Sequence, residues 1–264
     1  MSEDMLVKDA PSRCPQKKEA LVAGNSATGW LKIIALVFMF IDHSGKMLFP
    51  GVSEMRILGR IAFPLYAWCL VVRCSHTRSM AKYALRLLAV GLVSQPLYML
   101  ALNHSWREPN IFLTLLIGLL GIWGLREKRY GSAVWAPLLA LLAAVLTGCD
   151  YGWKGVLFIL LLYACRASRP AIGAMMCAFC LYWGSTSGMV SSFFGLSFTP
   201  LLSKYPWQTL FSPWLRVQAL AILALPLILA HFPKDLKLPK WLGYAIYPAH
   251  LILLYGLEYL KSLG

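Results

Sequence analysis

"ALVFMFIDHSGKMLFP" occupies residues 35–50, and its reading decides the fold. Seven apolar residues lead into Asp42, His43 and Lys46, and apolar residues resume at Met47. In a soluble helix this would be an ordinary polar face. Here the run extends back to Trp30 without a break long enough to form a polar surface, which gives a stretch long enough to cross a bilayer, about 17–25 residues. An aspartate near the centre of such a span costs about 2.5–3.5 kcal/mol on insertion scales, so a partner or a water-filled cavity must offset it.

Working outward, the rest of the chain repeats the pattern. Of 264 residues 59% are hydrophobic and only 14% charged, where a soluble domain carries about 25% charged. Apolar runs lie near 30–49, 55–73, 83–102, 111–125, 132–148, 154–167, 170–190, 214–231 and 242–260. The expected architecture is all-α: a polytopic membrane helix bundle of about nine transmembrane helices, residues 30–264, preceded by a polar cytoplasmic tail over residues 1–29. The runs 111–125 and 154–167 are short for a full crossing, so they either tilt little or one is re-entrant. No cleavable signal peptide is visible in residues 1–29, which contain Pro11 and Pro15 and no apolar core.

The formal charge of +14 is spread in short clusters between the apolar runs. That is the pattern of cytoplasmic loops, not of one basic patch with interleaved aromatics, and it argues against a nucleic-acid partner. With the amino terminus inside and nine alternating spans, seventeen Lys and Arg fall inside and seven outside, with Arg60 left within a span. The expected topology is therefore N-in, C-out. The longest outer connection, near 191–213, carries "SFTPLLSKYPWQ" and reads as a loop able to meet a partner.

Asp42 stacks under Lys46 at i, i+4, so the two can neutralise each other. The second run supplies another partner in "LGRIAFPLYAW", residues 58–68. Gly59 lets a neighbouring helix approach, and Pro64 frees the carbonyl of Arg60 so the helix can bend around a cavity. A hairpin between the two runs brings Asp42 and Arg60 to comparable depth. An Asp–Arg pair beside His43 can orient and tune an imidazole. A structural ion pair pinning two helices is the alternative.

Further polar residues in apolar surroundings are Gln95 before Pro96, Asn110 at the head of the fourth run, Thr114, Asp150 in an outer loop, and His250 behind Pro248. Asn110 reads as a cap, Asp150 as a solvated carboxylate or a partner for an ammonium group, and His250 as a packing residue or a second imidazole facing the cavity of His43. His76, His104 and His231 lack metal-ligand spacing, so no metal site is expected. Seven cysteines include Cys177 and Cys180 inside an apolar run, read as small apolar helix residues. No P-loop, dinucleotide fingerprint or G-x-S-x-G nucleophile element is present.

The segments quoted above, with "HTRSMAKYALRLL" (76–88), "LVSQPLYML" (92–100), "NIFLTLLIGLL" (110–120), "YGWKGVLFILL" (151–161) and "YAIYPAHLILL" (244–254), follow the order seen in the TraX family. That family comprises pilin acetylases of conjugative plasmids and includes the TrbP proteins of IncP-type systems. The resemblance covers about residues 30–255. It implies a multi-pass protein of the bacterial inner membrane that transfers acetyl from acetyl-CoA, as acyl donor, to the amino terminus of a pilin subunit. By that resemblance His43 is the base or a transient acetyl carrier, with Asp42 and Arg60 completing the catalytic group.

Cations for the phosphates of CoA are available in Arg73, Arg78, Lys82 and Arg86, Arg86 being the one expected to be buried. Lys46, Gln95, Asn110, Asp150 and His250 are the residues expected around the acceptor. The implied partners are pilin, membrane lipid and other mating-pair formation proteins. Two readings of a different class stay open: a proton-coupled small-solute transporter, and a non-catalytic component of the mating-pair apparatus.

Overall fold

The computed structural model describes residues 22–232, 234–237 and 239–263, so the basic residues Lys8, Arg13, Lys17 and Lys18 of the tail lie outside the described residues. Twelve α-helices follow in order: α1 (Thr28–Met47), α2 (Ser53–Gly59), α3 (Ala62–His76), α4 (Met80–Leu102), α5 (Ile111–Glu127), α6 (Ser132–Thr147), α7 (Gly152–Cys165), α8 (Arg169–Gly184), α9 (Thr199–Ser203), α10 (Trp207–Phe211), α11 (Leu225–Leu229) and α12 (Lys240–Leu263). A two-stranded hairpin, β1 (Ser192–Phe193) with β2 (Leu196–Ser197), precedes α9, and a 3-10 turn over Ala219–Ala224 leads into α11.

Helix ends follow local chemistry. Ser79 and Ser168 accept hydrogen bonds from Lys82 N and Ala171 N, and Asn110 Oδ1 from Phe112 N, so three helices start on side-chain caps. Asn103 ends α4 in the left-handed region at φ 52°.

Every expected apolar run contains helix, but length and apolarity divide them. Among the described residues three helical stretches are long and apolar enough to cross a membrane: Ser53–His76, which joins α2 and α3 across a turn, Met80–Leu102, and Arg129–Thr147, which joins a 3-10 turn to α6. Gly152–Cys165 and Ala219–Leu229 are apolar but shorter. At 1.5 Å per residue, the 14 residues of α7 rise only about 21 Å. Apolar side chains on the long helices point outward, among them Leu85, Leu92 and Val93 of α4 and Leu138, Leu142 and Leu146 of α6. That is the surface of a protein whose solvent is lipid.

The centre is α3. Leu65, Ala67, Trp68 and Val71 are fully buried. The indole N–H of Trp68 donates to Asn25 O at 2.7 Å, and Asn25 and Ala27 are buried as well. The packed unit therefore begins before Trp30, and residues 22–29 belong to it rather than to a free polar tail. On α5 a glycine face (Gly118, Gly121, Gly124) lets α6 and α7 close in; a Cβ on Gly124 would come within 2.1 Å of Ala136 Cβ.

Hydrogen bonds tie the connections into two ends of the bundle. At one end Ala23 N donates to Arg166 O, Asn25 N to Ile228 O, Arg126 to Cys74 O and Thr77 O, and Arg169 to Leu229 O. At the other, Lys46 meets His104, Lys261 donates to Leu48 O, Asp150 N to Pro109 O, and Phe194 N to Glu54. Successive long elements therefore run alternately between these ends.

Candidate active site: a paired aspartate and two histidines

The site forms where α1 meets the joint between α2 and α3. α1 stops at Met47 because Pro50 and Gly51 follow, and the chain turns back into α2 within five residues. α2 ends at Gly59 and α3 begins at Ala62, so Arg60 sits at a break rather than inside one continuous helix. Pro64, which has no N–H to offer the Arg60 carbonyl, is the local cause.

Asp42 is gripped from both sides. Arg60 Nη2 donates to Oδ1 at 2.8 Å and Arg56 Nη1 to Oδ2 at 2.8 Å. Arg56 also reaches Asp42 O, and Arg60 Nε donates to Arg56 O at 3.1 Å, locking the two cations together. The approach depends on Gly59, where a Cβ would come within 2.2 Å of Asp42 Oδ1. Arg56 lies at the head of the second apolar run. It is the missed partner, and its i, i+4 spacing from Arg60 on one helical face was the available signal.

Lys46 does not neutralise Asp42. Its ammonium lies 2.6 Å from His104 Nε2, and His104 Nδ1 lies 3.1 Å from Glu108. The two arginines, already in contact with both oxygens of Asp42, leave that carboxylate no need of a third cation.

Nor does Asp42 hold the imidazole beside it. His43 Nδ1 lies 2.8 Å from Nε2 of His250, with the rings 13° from coplanar. His250 Nδ1 in turn lies 3.3 Å from Ile246 O. A carbonyl can only accept, so His250 Nδ1 carries its proton and His250 Nε2 is bare. His43 Nδ1–H then donates to it, leaving His43 Nε2 as an unprotonated nitrogen; the tautomers are assigned from this network.

A cavity of about 40 Å³ adjoins these groups, lined by Met39, Asp42, His43, Gly59, Ala62, Phe63, Tyr66, Ile111, Asp150, Tyr151 and Tyr247. Asp150 is thus not a loop carboxylate in bulk solvent. Thr114 Oγ1 donates to its carbonyl and folds the α6–α7 connection inward, while its own Oδ1 accepts from Tyr151 N. Burial pushes the Asp150 carboxyl up to about 6, against the opposing pull of the Arg60 guanidinium. Tyr151 stacks on Phe63, with ring centroids 4.2 Å apart. Counted from Thr28, His43 lies about 22 Å along α1, so the group sits near the end of the bundle that holds Lys46 and His104 rather than at mid-depth.

The other residues expected at the site are elsewhere. Gln95 Nε2 donates to Glu108 O and its Oε1 accepts from Asn110 N, while Asn110 Nδ2 donates to Gly91 O. Both clamp the α4–α5 connection. Arg73, Arg78, Lys82 and Arg86 are all exposed around the α3–α4 connection at the opposite end. Arg86 is not buried: it stands on the outward face of α4, where a long side chain snorkels towards headgroups.

The family model described as "TraX protein" matches residues 27–258. The "Probable fimbrial assembly protein FimC, serogroup H1" of Dichelobacter nodosus is 28% identical over 242 residues, covering 85% of this chain and 92% of that protein. "Protein TraX" of Escherichia coli (strain K12) is 29% identical over 154 residues, 57% of this chain and 61% of the relative. An uncharacterised protein of Rickettsia prowazekii is 26% identical over 171 residues, 63% of this chain and 65% of the relative. No solved structure matches. The family match runs from the residue before α1 into α12 and takes in every residue of the Asp42–His43–His250 group: the chain belongs to the TraX family.

Proposed function

We propose that this chain is a multi-pass protein of the bacterial inner membrane that transfers acetyl from acetyl-CoA to the amino terminus of a pilin subunit during pilus maturation. The observation that carries the reading is the bare Nε2 of His43, fixed by His250 beside a cavity and a neutralised aspartate. Names of relatives that refer to fimbrial assembly support the biological setting.

In this mechanism the neutral amine attacks the thioester carbonyl, the N–C bond forming as the C–S bond breaks. The proton lost by nitrogen passes to His43 Nε2 and then to the departing thiolate. His250 keeps His43 in the tautomer that can take it. Asp42 acts by holding Arg56 and Arg60 at the site, and Arg60 supplies positive charge for the oxyanion. Asp150 accepts a hydrogen bond from the incoming amine, with the acceptor entering from the end of the bundle nearest His43. Arg73, Arg78, Lys82 and Arg86 meet the CoA phosphates at the other end, which is the cytoplasmic one by its excess of Lys and Arg.

The test is acetyl transfer in membranes carrying the wild-type chain or His43→Ala, read by mass spectrometry of the pilin. Loss of the acetyl group with normal membrane insertion is expected. Full acetylation by the variant removes His43 from the mechanism.

A further inference from the structure

The segment between α8 and the Ala219–Ala224 turn leaves the bundle and returns to the same point. Val190 N donates to Leu215 O at 2.8 Å and Val217 N to Gly188 O at 3.0 Å, around a bridge between Met189 and Arg216. Between these closing bonds lie the β1–β2 hairpin, turning on Phe194 (φ 46°) and Gly195 (φ 82°), and the five-residue helices α9 and α10.

Its surface mixes exposed apolar and aromatic side chains with uncharged polar ones such as Ser192, Thr199, Gln208 and Thr209. Phe194 is 67% exposed, Leu196 69%, Tyr205 85%, Trp207 51% and Leu210 57%. Lys204 is the single charged residue over positions 191–213. A helix of five residues rises about 7.5 Å, far less than a bilayer core. Such short elements also leave many backbone polar groups outside helical or ladder bonds, which hydrocarbon does not tolerate. The headgroup layer satisfies both requirements: it solvates backbone and lysine while accepting Trp, Tyr and Phe rings.

Position agrees with composition. The hairpin tip is tied to the bundle by Phe194 N donating to Glu54 Oε1 at 3.3 Å. Glu54 opens α2 at the end where Phe49, Trp106 and Trp153 are also exposed. These three and the excursion lie in or beside connections at the same end of the bundle.

We infer that residues 191–213 lie in the plane of the bilayer headgroups as an in-plane anchor, with phospholipid as the partner of the Phe194–Leu210 face. This goes beyond acetyl transfer and stands or falls independently of it. Through Glu54, the anchor fixes the start of α2 two residues ahead of Arg56, so the lipid surface helps position the cation that holds Asp42.

The experiment introduces p-benzoylphenylalanine at Tyr205, at Leu210 and, as an aqueous control, at Lys128, in otherwise intact full-length protein. Native membranes are irradiated and adducts identified by mass spectrometry. Phospholipid adducts at both Tyr205 and Leu210, several-fold above the Lys128 control, are the expected result. Absence of phospholipid adducts at either position overturns the inference, whether the photoproduct found there is protein, such as pilin or a second copy, or none.

Discussion

Asp42 has a guanidinium on each carboxylate oxygen, so its removal leaves Arg60 uncompensated in a largely buried place, while Arg56 is open enough to turn to solvent. Asp42→Ala is expected to cost about 3–5 kcal/mol, read as a fall in thermal midpoint in detergent. Gly59→Ala should destabilise by about 1–3 kcal/mol through overpacking, since its new methyl meets the Asp42 carboxylate. At His250, replacement by alanine should slow acetyl transfer about tenfold or more, the worth of a hydrogen bond to a group that becomes charged. His250→Gln, whose amide oxygen can accept from His43 Nδ1, should recover part of that rate; equal loss in both variants would reduce His250 to packing.

The raised pKa of Asp150 sets a sign as well. Its carboxyl is protonated below about 6 in the folded protein and ionised above. If it accepts the amine, KM for the acceptor should rise as pH falls through that value, and Asp150→Asn should flatten the profile. For stability the direction is opposite: the native state holds this proton more tightly than the unfolded chain does. Stability therefore falls as pH rises from the ordinary carboxylate range to about 6.

At the scale of elements, the pairing of Asp42 with Arg60 was legible because a short turn between two apolar helices fixes relative depth. His250 was legible as a lone imidazole in an apolar helix. What the sequence hid was competition among partners. Helical spacing offers Lys46 to Asp42, but His104 arrives from the α4–α5 connection and takes it, while Arg56 and Arg60 occupy the carboxylate. Asp150 read as a solvated carboxylate or a partner for an ammonium group, and nothing local shows that Thr114 pulls its loop inward. Arg86 looked buried by its position in the third run, yet the side of a helix that faces lipid is set only by packing.

The same logic holds at the start of α1, where residues 22–27 read as tail by composition. If Trp68 is the element that docks them, Trp68→Ala should cost about 3–5 kcal/mol and raise proteolytic cleavage between Val22 and Thr28. Unchanged cleavage would detach that segment from the core.

Over the whole molecule, the alternation of elements between two ends places the Asp42–His43–His250 group near one face and the exposed cations of the α3–α4 connection near the other. That arrangement suits a reaction whose donor and acceptor come from opposite sides. It predicts that a cysteine placed at Lys128 reacts with an impermeant maleimide only from the cytoplasm, and one at Trp106 only from outside; the reverse labelling would invert the topology. The central claim remains chemical: an imidazole nitrogen, left bare by its neighbour, takes the proton of an amine as acetyl is transferred. The most direct measurement is the intact mass of the pilin from cells carrying the wild-type chain, His43→Ala, or no copy. The account predicts one added acetyl group with the wild-type chain alone, and the same pilin mass in all three would contradict it.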